Sequence, residues 1–265
     1  MTKRSVFLAV PYSRPHYGMF VESLLLADFG GLDVHFRQVY GYPVDYARNY
    51  LVQCFLADGA DYLLFVDNDC SFDPGAVKRL VSRHVPMIGG CMYTREFIPR
   101  PTAGIFAGRG QDGKLFYKYA GVARRILERA RSEGKGPDKN AWLFPERGAE
   151  ADLVEVDGMG MHMTLIRRDV VEAVTAALTP GPSPDDGRGG GWFRMLGETG
   201  AGEDFYFCDL VKKAGFKMWL DLTVQTGHCT GEEHDAGLVQ LMIMTQGVEN
   251  LEAAITDDLN MHVLG

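Results

Sequence analysis

The chain has 265 residues, a formal net charge of -8 at pH 7, and 46% hydrophobic and 23% charged residues. These proportions are ordinary for a globular protein, and the length suffices for one large domain with a substantial core. The negative charge gives no overall support for binding nucleic acid or an anionic membrane, and no apolar run is long enough to span a bilayer. Five cysteines without a CxxC pair favour reduced thiols. We therefore expect a cytoplasmic protein without a membrane partner.

The first third of the chain alternates strand-like and helix-like segments. Strands are predicted over 5–10, 32–41, 61–67 and 85–93, and helices over 16–31, 44–59 and 73–84. In the second helix, Asp45 is expected at the N-cap and Gly59 just past the end. The third strand is an unbroken apolar run, which indicates burial on both faces. This order predicts a mostly parallel, Rossmann-like α/β sheet with right-handed crossovers.

The rest of the chain is less regular. Its predicted elements are a hairpin over 102–120, a strand and a helix over 152–178, a helix over 202–215, a last strand over 216–228 and a helical tail from 238. The hairpin is expected to turn at Asp112-Gly113. The basic segment 123–140 lacks a core pattern in its second half, and we expect it to be mobile. The Gly- and Pro-rich stretch 179–191 is long for a simple connection, which favours a lid or the border of an active site.

Two aspartates, Asp67 and Asp69, end the third strand in the sequence LLFVDND. Open parallel sheets bind ligands beyond the carboxyl ends of their strands, and side chains two positions apart on an extended segment point to the same side. Neighbouring carboxylates raise each other's pKa unless a cation lies beside them. Mg²⁺ or Mn²⁺ would supply that cation and would also bind phosphate oxygens. The sequence therefore predicts a metal–diphosphate site, with a polar turn that caps the next helix as the alternative.

Four further stretches accompany this motif. DYARN (45–49) precedes it, and VDGMGMHMTLIRRDV (156–170), GEDFYFC (202–208) and TGHCTG (226–231) follow it. In this order the set resembles the metal-dependent glycosyltransferases of the GT-A fold, in particular the family 2-like members of phages and bacteria. The resemblance spans most of the chain and is thin between 95 and 150. It implies a GT-A, Rossmann-like, mostly parallel sheet flanked by helices, with a smaller acceptor-side region of hairpin and loops.

The resemblance also implies a domain organisation and a reaction. Residues 1–265 would form one catalytic domain, with a nucleotide-binding half (1–94), an acceptor and catalytic half (95–237) and a helical tail (238–265). The enzyme would move a sugar from a nucleoside-diphosphate sugar, with a UDP-sugar favoured, to an acceptor hydroxyl, with inversion at the anomeric carbon. The 179–191 loop would close and exclude water.

The expected donor site follows from the same resemblance. Asp67 corresponds to the first acid of the DxD motif, which faces the ribose or bridges through the metal, and Asp69 to the second acid, a direct metal ligand. His228 corresponds to the distal histidine that completes the Mn²⁺ or Mg²⁺ site, although a lone histidine is more often structural. Arg48 corresponds to an arginine that contacts the nucleotide, with a surface salt bridge as the alternative. The other expected donor-binding residues are Pro11, Tyr12, Ser13, Asn68, Gly158 and Gly160.

The expected catalytic residue is Asp204, which with Glu203 corresponds to the family's ED motif. In inverting members this aspartate is the general base, which takes the acceptor's proton as the acceptor oxygen attacks the anomeric carbon. The alternative is that both acids only stabilise a helix N-terminus. His162 and Asp157 would line the sugar and acceptor site. The GxG at 158–160 lacks the further glycine of a dinucleotide fingerprint, so NAD is not expected.

The acceptor leaves the most alternatives open. A hydroxymethylated pyrimidine in phage DNA is one candidate, with the arginines at 124, 125, 129 and 131 as a phosphate-binding patch; the alternative for this run is a solvated helix face. Small-molecule, polysaccharide and protein acceptors are equally open. Two other functions are a nucleotidyltransferase, which would usually carry a Gly-rich basic loop after the first strand, and a non-catalytic module for sugar nucleotides or glycans, which would not need Asp204. A phage-encoded protein would act in the host cytoplasm.

Overall fold

The computed structural model describes residues 3–92, 102–109, 115–118, 122, 153–178, 191–195 and 202–229. The first part alternates strands and helices in the predicted order. Its elements are β1 (Ser5–Tyr12), α1 (Gly18–Leu26), β2 (Asp33–Tyr40), α2 (Val44–Asp58), β3 (Tyr62–Val66), β4 (Cys70–Phe72), α3 (Ala76–Ser82) and β5 (Met87–Cys91). The later elements are β6 (Ala103–Arg109), β7 (Leu115–Lys118), β8 (Leu153–Val156), β9 (Gly158–Met159), β10 (Met163–Arg167), α4 (Arg168–Ala177), α5 (Glu203–Lys213) and β11 (Met218–His228).

One large sheet has the strand order β2–β1–β3–β10–β5–β11–β4, with β8 also paired to β11. β1 is parallel to β2 and β3, and β5 is parallel to β11. β10 is inserted antiparallel between β3 and β5. β1, β2, β3, β5 and β11 therefore run in one direction, and their carboxyl ends lie at one edge, where open α/β sheets bind ligands. The predicted mostly parallel sheet is confirmed, whereas the sequence gives no sign that β10 lies inside it.

Two apolar layers cover the two faces of this sheet. On one face, α2, α4 and α5 pack on a cluster that includes Phe55 and Phe65. On the other face, α1 and α3 pack on a cluster that includes Phe20 and Leu80. β3 contributes to both layers because all of its residues are buried, which confirms the prediction from its unbroken apolar run. The end of β3, where the acidic motif begins, is thus held from both sides.

The two ends of α2 differ in how well the sequence predicts them. The expected N-cap Asp45 is wrong: the helix begins at Val44, Pro43 occupies the N-cap position, and no side chain caps it. Asp45 lies instead in the first turn, where a carboxylate still complements the helix dipole. At the other end Gly59 has φ 90° and donates its N–H to the Phe55 carbonyl, as predicted for a glycine that ends a helix.

A smaller sheet has the strand order β7–β6–β9. β6 and β7 pair antiparallel, as the predicted hairpin requires, and the expected turn at Asp112-Gly113 lies outside the described residues. β9 pairs with the other side of β6 through the Gly104 and Gly158 positions. The glycine stretch at 158–160 is therefore tied to the hairpin, a pairing that the sequence did not predict.

Several expectations concern parts of the chain that the structure does not describe. They are the mobile segment 123–140 with its arginines, the proposed lid 179–190, and the helical tail from 238. They stay predictions, as does the division of 1–265 into halves of one domain. Of the helices in the described ranges, none is long and apolar enough to cross a membrane.

Gly90 in β5 provides a test of how tightly the sheet packs. A Cβ at this position would lie 3.0 Å from Thr226 Cγ2 and 3.1 Å from the Val224 carbonyl oxygen. Because the neighbouring strand cannot move freely, we predict that Gly90→Ala lowers the free energy of unfolding by about 1–3 kcal/mol, measured by urea denaturation. Gly18→Ala, in the first turn of α1, is the control, since a Cβ there meets nothing within 4 Å. Equal stability of the two variants would contradict this packing.

Candidate active site

A cleft of about 170 Å³ lies beyond the carboxyl ends of β1 and β3. It is lined by Pro11, Tyr12, Ser13, Tyr42, Val44, Ala47, Asp67, Asn68 and Asp69. Six of these residues are among the donor-binding and metal-binding residues expected from the sequence. Tyr42, Val44 and Ala47 were not expected. Their position could have been inferred, because the loop after β2 and the first turn of α2 follow the carboxyl end of the strand next to β1, where ligands of such sheets bind.

Asn68 holds the loop that follows β1. Its side-chain amide donates to the carbonyl oxygens of Arg14 at 3.0 Å and Pro15 at 3.3 Å. The Tyr12 ring packs against Tyr40, with ring centroids 5.1 Å apart, and against His16, at 4.5 Å. These contacts fix the wall of the cleft, so the middle residue of the DxD motif acts on the β1 loop as well as on its own turn.

The two aspartates of the motif diverge. The strand ends at Val66, and the N–H of Cys70 donates to the Asp67 carbonyl at 3.0 Å, which closes a turn over 67–70. The backbone at the motif is therefore a turn and not the extended segment assumed from the sequence, although both aspartates line the same cleft. Asp67 turns toward Arg48, and Asp69 turns toward His228. Arg48 beside Asp67 and His228 beside Asp69 reduce the predicted repulsion between the two acids.

Arg48 is the centre of a buried ion cluster. Its side chain is only 2% exposed. One terminal nitrogen donates to both Asp67 oxygens, at 3.0 and 3.1 Å, and the other donates to Glu203 and Asp204. Burial opposes the positive charge, but Asp204, Asp67 and Glu203 outweigh it and raise the pKa of Arg48 above its ordinary value. The guanidinium thus faces carboxylates and not an open surface, and its contact with a nucleotide stays a prediction.

The segment 191–195 closes the apolar side of this cluster. The Phe65 and Phe193 rings lie 6.0 and 5.9 Å from the Arg48 guanidinium carbon. Asn49 fixes Phe193 by donating to its carbonyl at 2.8 Å and accepting from its N–H at 2.9 Å. Sequence reasoning missed Asn49 and Phe193. The DYARN stretch contained the signal, because Asn49 follows directly after Arg48.

Asp204 lies at the N-terminal end of α5, and Arg48 connects it to Asp67 in the wall of the cleft. Its side chain is 21% exposed, and its Oδ2 accepts the Met161 N–H at 3.3 Å. Burial raises the pKa of Asp204 to about 8, Arg48 opposes this shift, and the charges of Glu203 and Asp67 add to it. The carboxyl group therefore holds a proton more firmly than an ordinary aspartate does, which is typical of acid–base residues in active sites.

Asp69 and His228 form the candidate metal site. The Asp69 Oδ2 and His228 Nε2 atoms are 3.3 Å apart, and the side chains are 30% and 25% exposed. Neighbouring ligands of an octahedral Mg²⁺ at about 2.1 Å are separated by about 3 Å, so the two atoms fit one ion. No group of three or more His, Cys, Asp or Glu side chains suited to a metal occurs in the parts of the chain that the structure describes. Two protein ligands are nevertheless common for Mg²⁺, which substrate phosphates and water complete.

The other expected site residues separate into two groups. His162 is buried, and its Nε2–H donates to the Gly90 carbonyl at 3.1 Å, while burial lowers the pKa of His162 to about 4. Gly160 lies beside the catalytic candidate, since a Cβ there would be 3.7 Å from Asp204 Oδ2. Asp157 instead pairs with Lys212 at 2.6 Å, and Gly158 pairs with the hairpin. His162 and Gly160 thus adjoin the ion cluster, whereas Asp157 and Gly158 hold the small sheet.

Neither a protein-family model nor a curated protein sequence matches the chain. Solved structures do match. A197 from STIV aligns over 86% of this chain and 87% of its own, with 14% sequence identity and a TM-score of 0.50. GalNAc-T7, solved with UDP, GalNAc and Mn²⁺, aligns over 86% of this chain and 44% of its own, with 12% identity and a TM-score of 0.48. At these identities the likeness concerns the fold. The expected fold class, a GT-A-like, mostly parallel α/β sheet with a smaller hairpin sheet, is confirmed.

Replacing the buried Arg48 by an uncharged residue should destabilise the folded protein. We predict that Arg48→Met lowers the free energy of unfolding by about 3–5 kcal/mol at pH 7, because it removes the counter-charge from a buried group of three acidic side chains. At about pH 5 the loss should be smaller, since the carboxylates of the variant take up protons in the folded state and their repulsion falls. Urea denaturation at both pH values measures the two losses.

Lys78→Met is the matched control for Arg48→Met. Lys78 also pairs with an aspartate, Asp28, but the two side chains are 62% and 49% exposed. Exposed pairs contribute about 0–1 kcal/mol, so this variant should be close to wild type at both pH values. Equal losses for the two variants at pH 7, or a loss for Arg48→Met that grows at pH 5, would contradict the assigned cluster.

Proposed function

We propose that the protein is a metal-dependent glycosyltransferase that moves a sugar from a nucleoside-diphosphate sugar to an acceptor hydroxyl. The observation that carries the proposal is the arrangement at the cleft: Asp67 and Asp69 line it, and Arg48 joins Asp67 to the Asp204 carboxylate. A diphosphate leaving group needs a cation, and sugar transfer needs a base for the acceptor proton. The cleft, at the edge of the sheet where ligands bind, and the Arg48 cluster joined to it through Asp67 together offer residues for both tasks.

The donor nucleotide is proposed to lie along Pro11, Tyr12 and Ser13, with a UDP-sugar favoured. Tyr12 is supported by Tyr40, so its ring can pack against a base without losing much freedom. Arg48 is proposed to act differently from the sequence-based expectation. Because it is enclosed by carboxylates, it would hold Asp67 and Asp204 in place and would not be an exposed contact for the phosphates.

Asp69 and His228 are proposed to hold Mn²⁺ or Mg²⁺, with Asp67 beside them on the wall of the cleft. When bound, the ion would neutralise the charge that develops on the diphosphate leaving group. The chain's own part is to keep the two ligand atoms 3.3 Å apart and to fix the turn that carries Asp69, whose carbonyl accepts the Cys229 N–H at 2.7 Å. The ion site is thereby tied to the end of β11.

Asp204 is proposed to be the general base. Because burial raises its pKa to about 8, most of it is protonated at neutral pH in the substrate-free protein. Only the carboxylate form can accept the acceptor's proton, so the rate of transfer should rise as the pH rises through about 8. Glu203, which is mostly buried and shares Arg48, is proposed to position this group.

The acceptor and the stereochemistry are the finer parts of the proposal. Attack by the acceptor on the side opposite the diphosphate would invert the anomeric carbon, as expected for a single displacement assisted by one base. Our candidate acceptor is a hydroxymethylated pyrimidine in phage DNA. Transfer from a labelled donor to hydroxymethylated and to unmodified DNA, beside polysaccharide and small-molecule acceptors, tests this choice.

Donor binding can be measured directly. We predict that one nucleoside diphosphate and its sugar conjugate raise the melting temperature with Mn²⁺ present, because a ligand that binds only the folded state stabilises it. A chelator should remove most of this rise in melting temperature. Asp69→Asn should make the rise smaller than it is in the wild type. Asp73→Asn is the control and should leave the rise unchanged, because Asp73 pairs with Arg79 away from the cleft. A folded protein whose melting temperature responds to no nucleotide would contradict the proposal.

Asp204→Asn separates catalysis from binding. The amide keeps the shape of the side chain but cannot accept the acceptor proton, so we predict about a 10²–10⁴-fold loss of transfer. The donor-induced melting shift should persist, since Asp204 is not among the described residues that line the proposed donor cleft. Unchanged turnover would show that Asp204 is not the base.

Asp209→Asn is the control for Asp204→Asn. Asp209 lies on the same helix and pairs with Lys213, away from the cleft. Its variant should transfer sugar at the wild-type rate. The pH dependence adds a second readout, because the rise through about pH 8 should be present in Asp209→Asn and lost in the residual activity of Asp204→Asn.

A further inference from the structure

The strand β2 ends the large sheet. Within the described residues no strand pairs with its outer side. Six of its eight residues are exposed, and only Val39 is buried. An edge strand carries unpaired N–H and C=O groups that can pair with another strand, so proteins usually cover, shorten or charge such edges.

One face of β2 is apolar. Val34 and Phe36 are 37% and 52% exposed. They pair in register with Val6 and Leu8 of β1, so they lie on the same side of the sheet as α1, which packs over that layer. Exposed apolar side chains gathered on one face are typical of an interaction surface.

The opposite face of β2 is charged. It carries Asp33, His35 and Arg37, which alternate with the apolar residues along the strand. His35 is held on this side by Asp58 at the end of α2, with Nδ1 and Oδ1 2.6 Å apart. Asp33 and Arg37 are both exposed and lie at equal distances in sequence from His35.

We propose that β2 pairs antiparallel with β2 of a second copy of this chain, about a twofold axis at His35. In this register Asp33 of each copy lies opposite Arg37 of the other copy, so the dimer contains two such ion pairs. On the apolar face Val34 lies opposite Phe36 of the second copy, again twice. A register centred on Phe36 would set Asp33 opposite Val39 and Val34 opposite Gln38, which leaves Asp33 and Arg37 without partners of opposite charge on the second copy.

The charges of β2 could instead keep other strands away. The order of the charges favours pairing. The twofold axis at His35 that sets Val34 opposite Phe36 also sets Asp33 opposite Arg37, which has the opposite charge. Directly opposed unlike charges and apolar pairs each stabilise an antiparallel ladder. The chain therefore complements itself, and its β2 strand fits a second copy better than it fits an unrelated strand.

Sedimentation velocity of the full chain over a wide range of protein concentration tests the proposal. The wild type is expected to form a dimer. Arg37→Asp sets two pairs of like charges across the axis and should weaken dimer formation about tenfold or more. The double variant Asp33→Arg/Arg37→Asp restores opposite charges and should restore the dimer. Lys217→Asp, which reverses an exposed positive charge outside β2, controls for net charge and should leave the dimer intact.

A cysteine at the axis tests the register. His35→Cys should form a disulfide between two copies under mild oxidation, because its Cβ would face its own counterpart, and Phe36→Cys should not. The wild type, treated alike, controls for native cysteines. A wild-type chain that is monomeric throughout, a dimer that ignores Arg37→Asp, or no rescue in the double variant would each overturn the proposal. None of these readouts depends on sugar transfer, so they stand apart from the proposed function.

Discussion

The arrangement of the site depends on one buried cation. Arg48 projects from α2 to carboxylates at the end of β3 and at the start of α5, which lie 19 and 155 residues away in the chain. Burying an unpaired charge costs several kcal/mol even after the protein relaxes. None of these three elements can move away without leaving such a charge behind. The cleft therefore has walls whose relative positions are set by electrostatics as well as by apolar packing.

The charges in this cluster do not balance. Three carboxylates surround one guanidinium, so the cluster would carry an excess of negative charge if all the acids were ionised. A proton on Asp204 lowers that excess, which together with burial accounts for its raised pKa of about 8. Both oxygens of Asp67 accept hydrogen bonds from Arg48. For the proposed mechanism the raised pKa of Asp204 is favourable, because a base with a pKa near the working pH is the one best suited to proton transfer.

Sequence reasoning succeeded where the signal is local. The apolar run 62–66 gives a strand buried on both faces, Gly59 ends α2, and a cleft opens where the acidic motif follows β3. It failed where the position of an element or a side chain depends on a residue far away in the chain. β10 enters the sheet between β3 and β5, and Asp67 finds Arg48, through contacts that no spacing in the chain encodes. The turn at 67–70 is an intermediate case: both aspartates line one cleft, as the sequence predicts, but a backbone turn and not an extended segment carries them, and each contacts a different partner.

The edge strand and the cleft are mechanically linked. Tyr40, the last residue of β2, packs on Tyr12, and the N–H of Gly41 donates to the Tyr12 carbonyl at 3.0 Å. Tyr42 follows at once and lines the cleft. Because β2 buries so little of itself, it is the strand of this sheet that gains most from added packing on its outer side. A second copy paired there would order β2 and, through Tyr40 and Gly41, the wall against which a donor base would pack, so association and donor binding would favour each other by linkage.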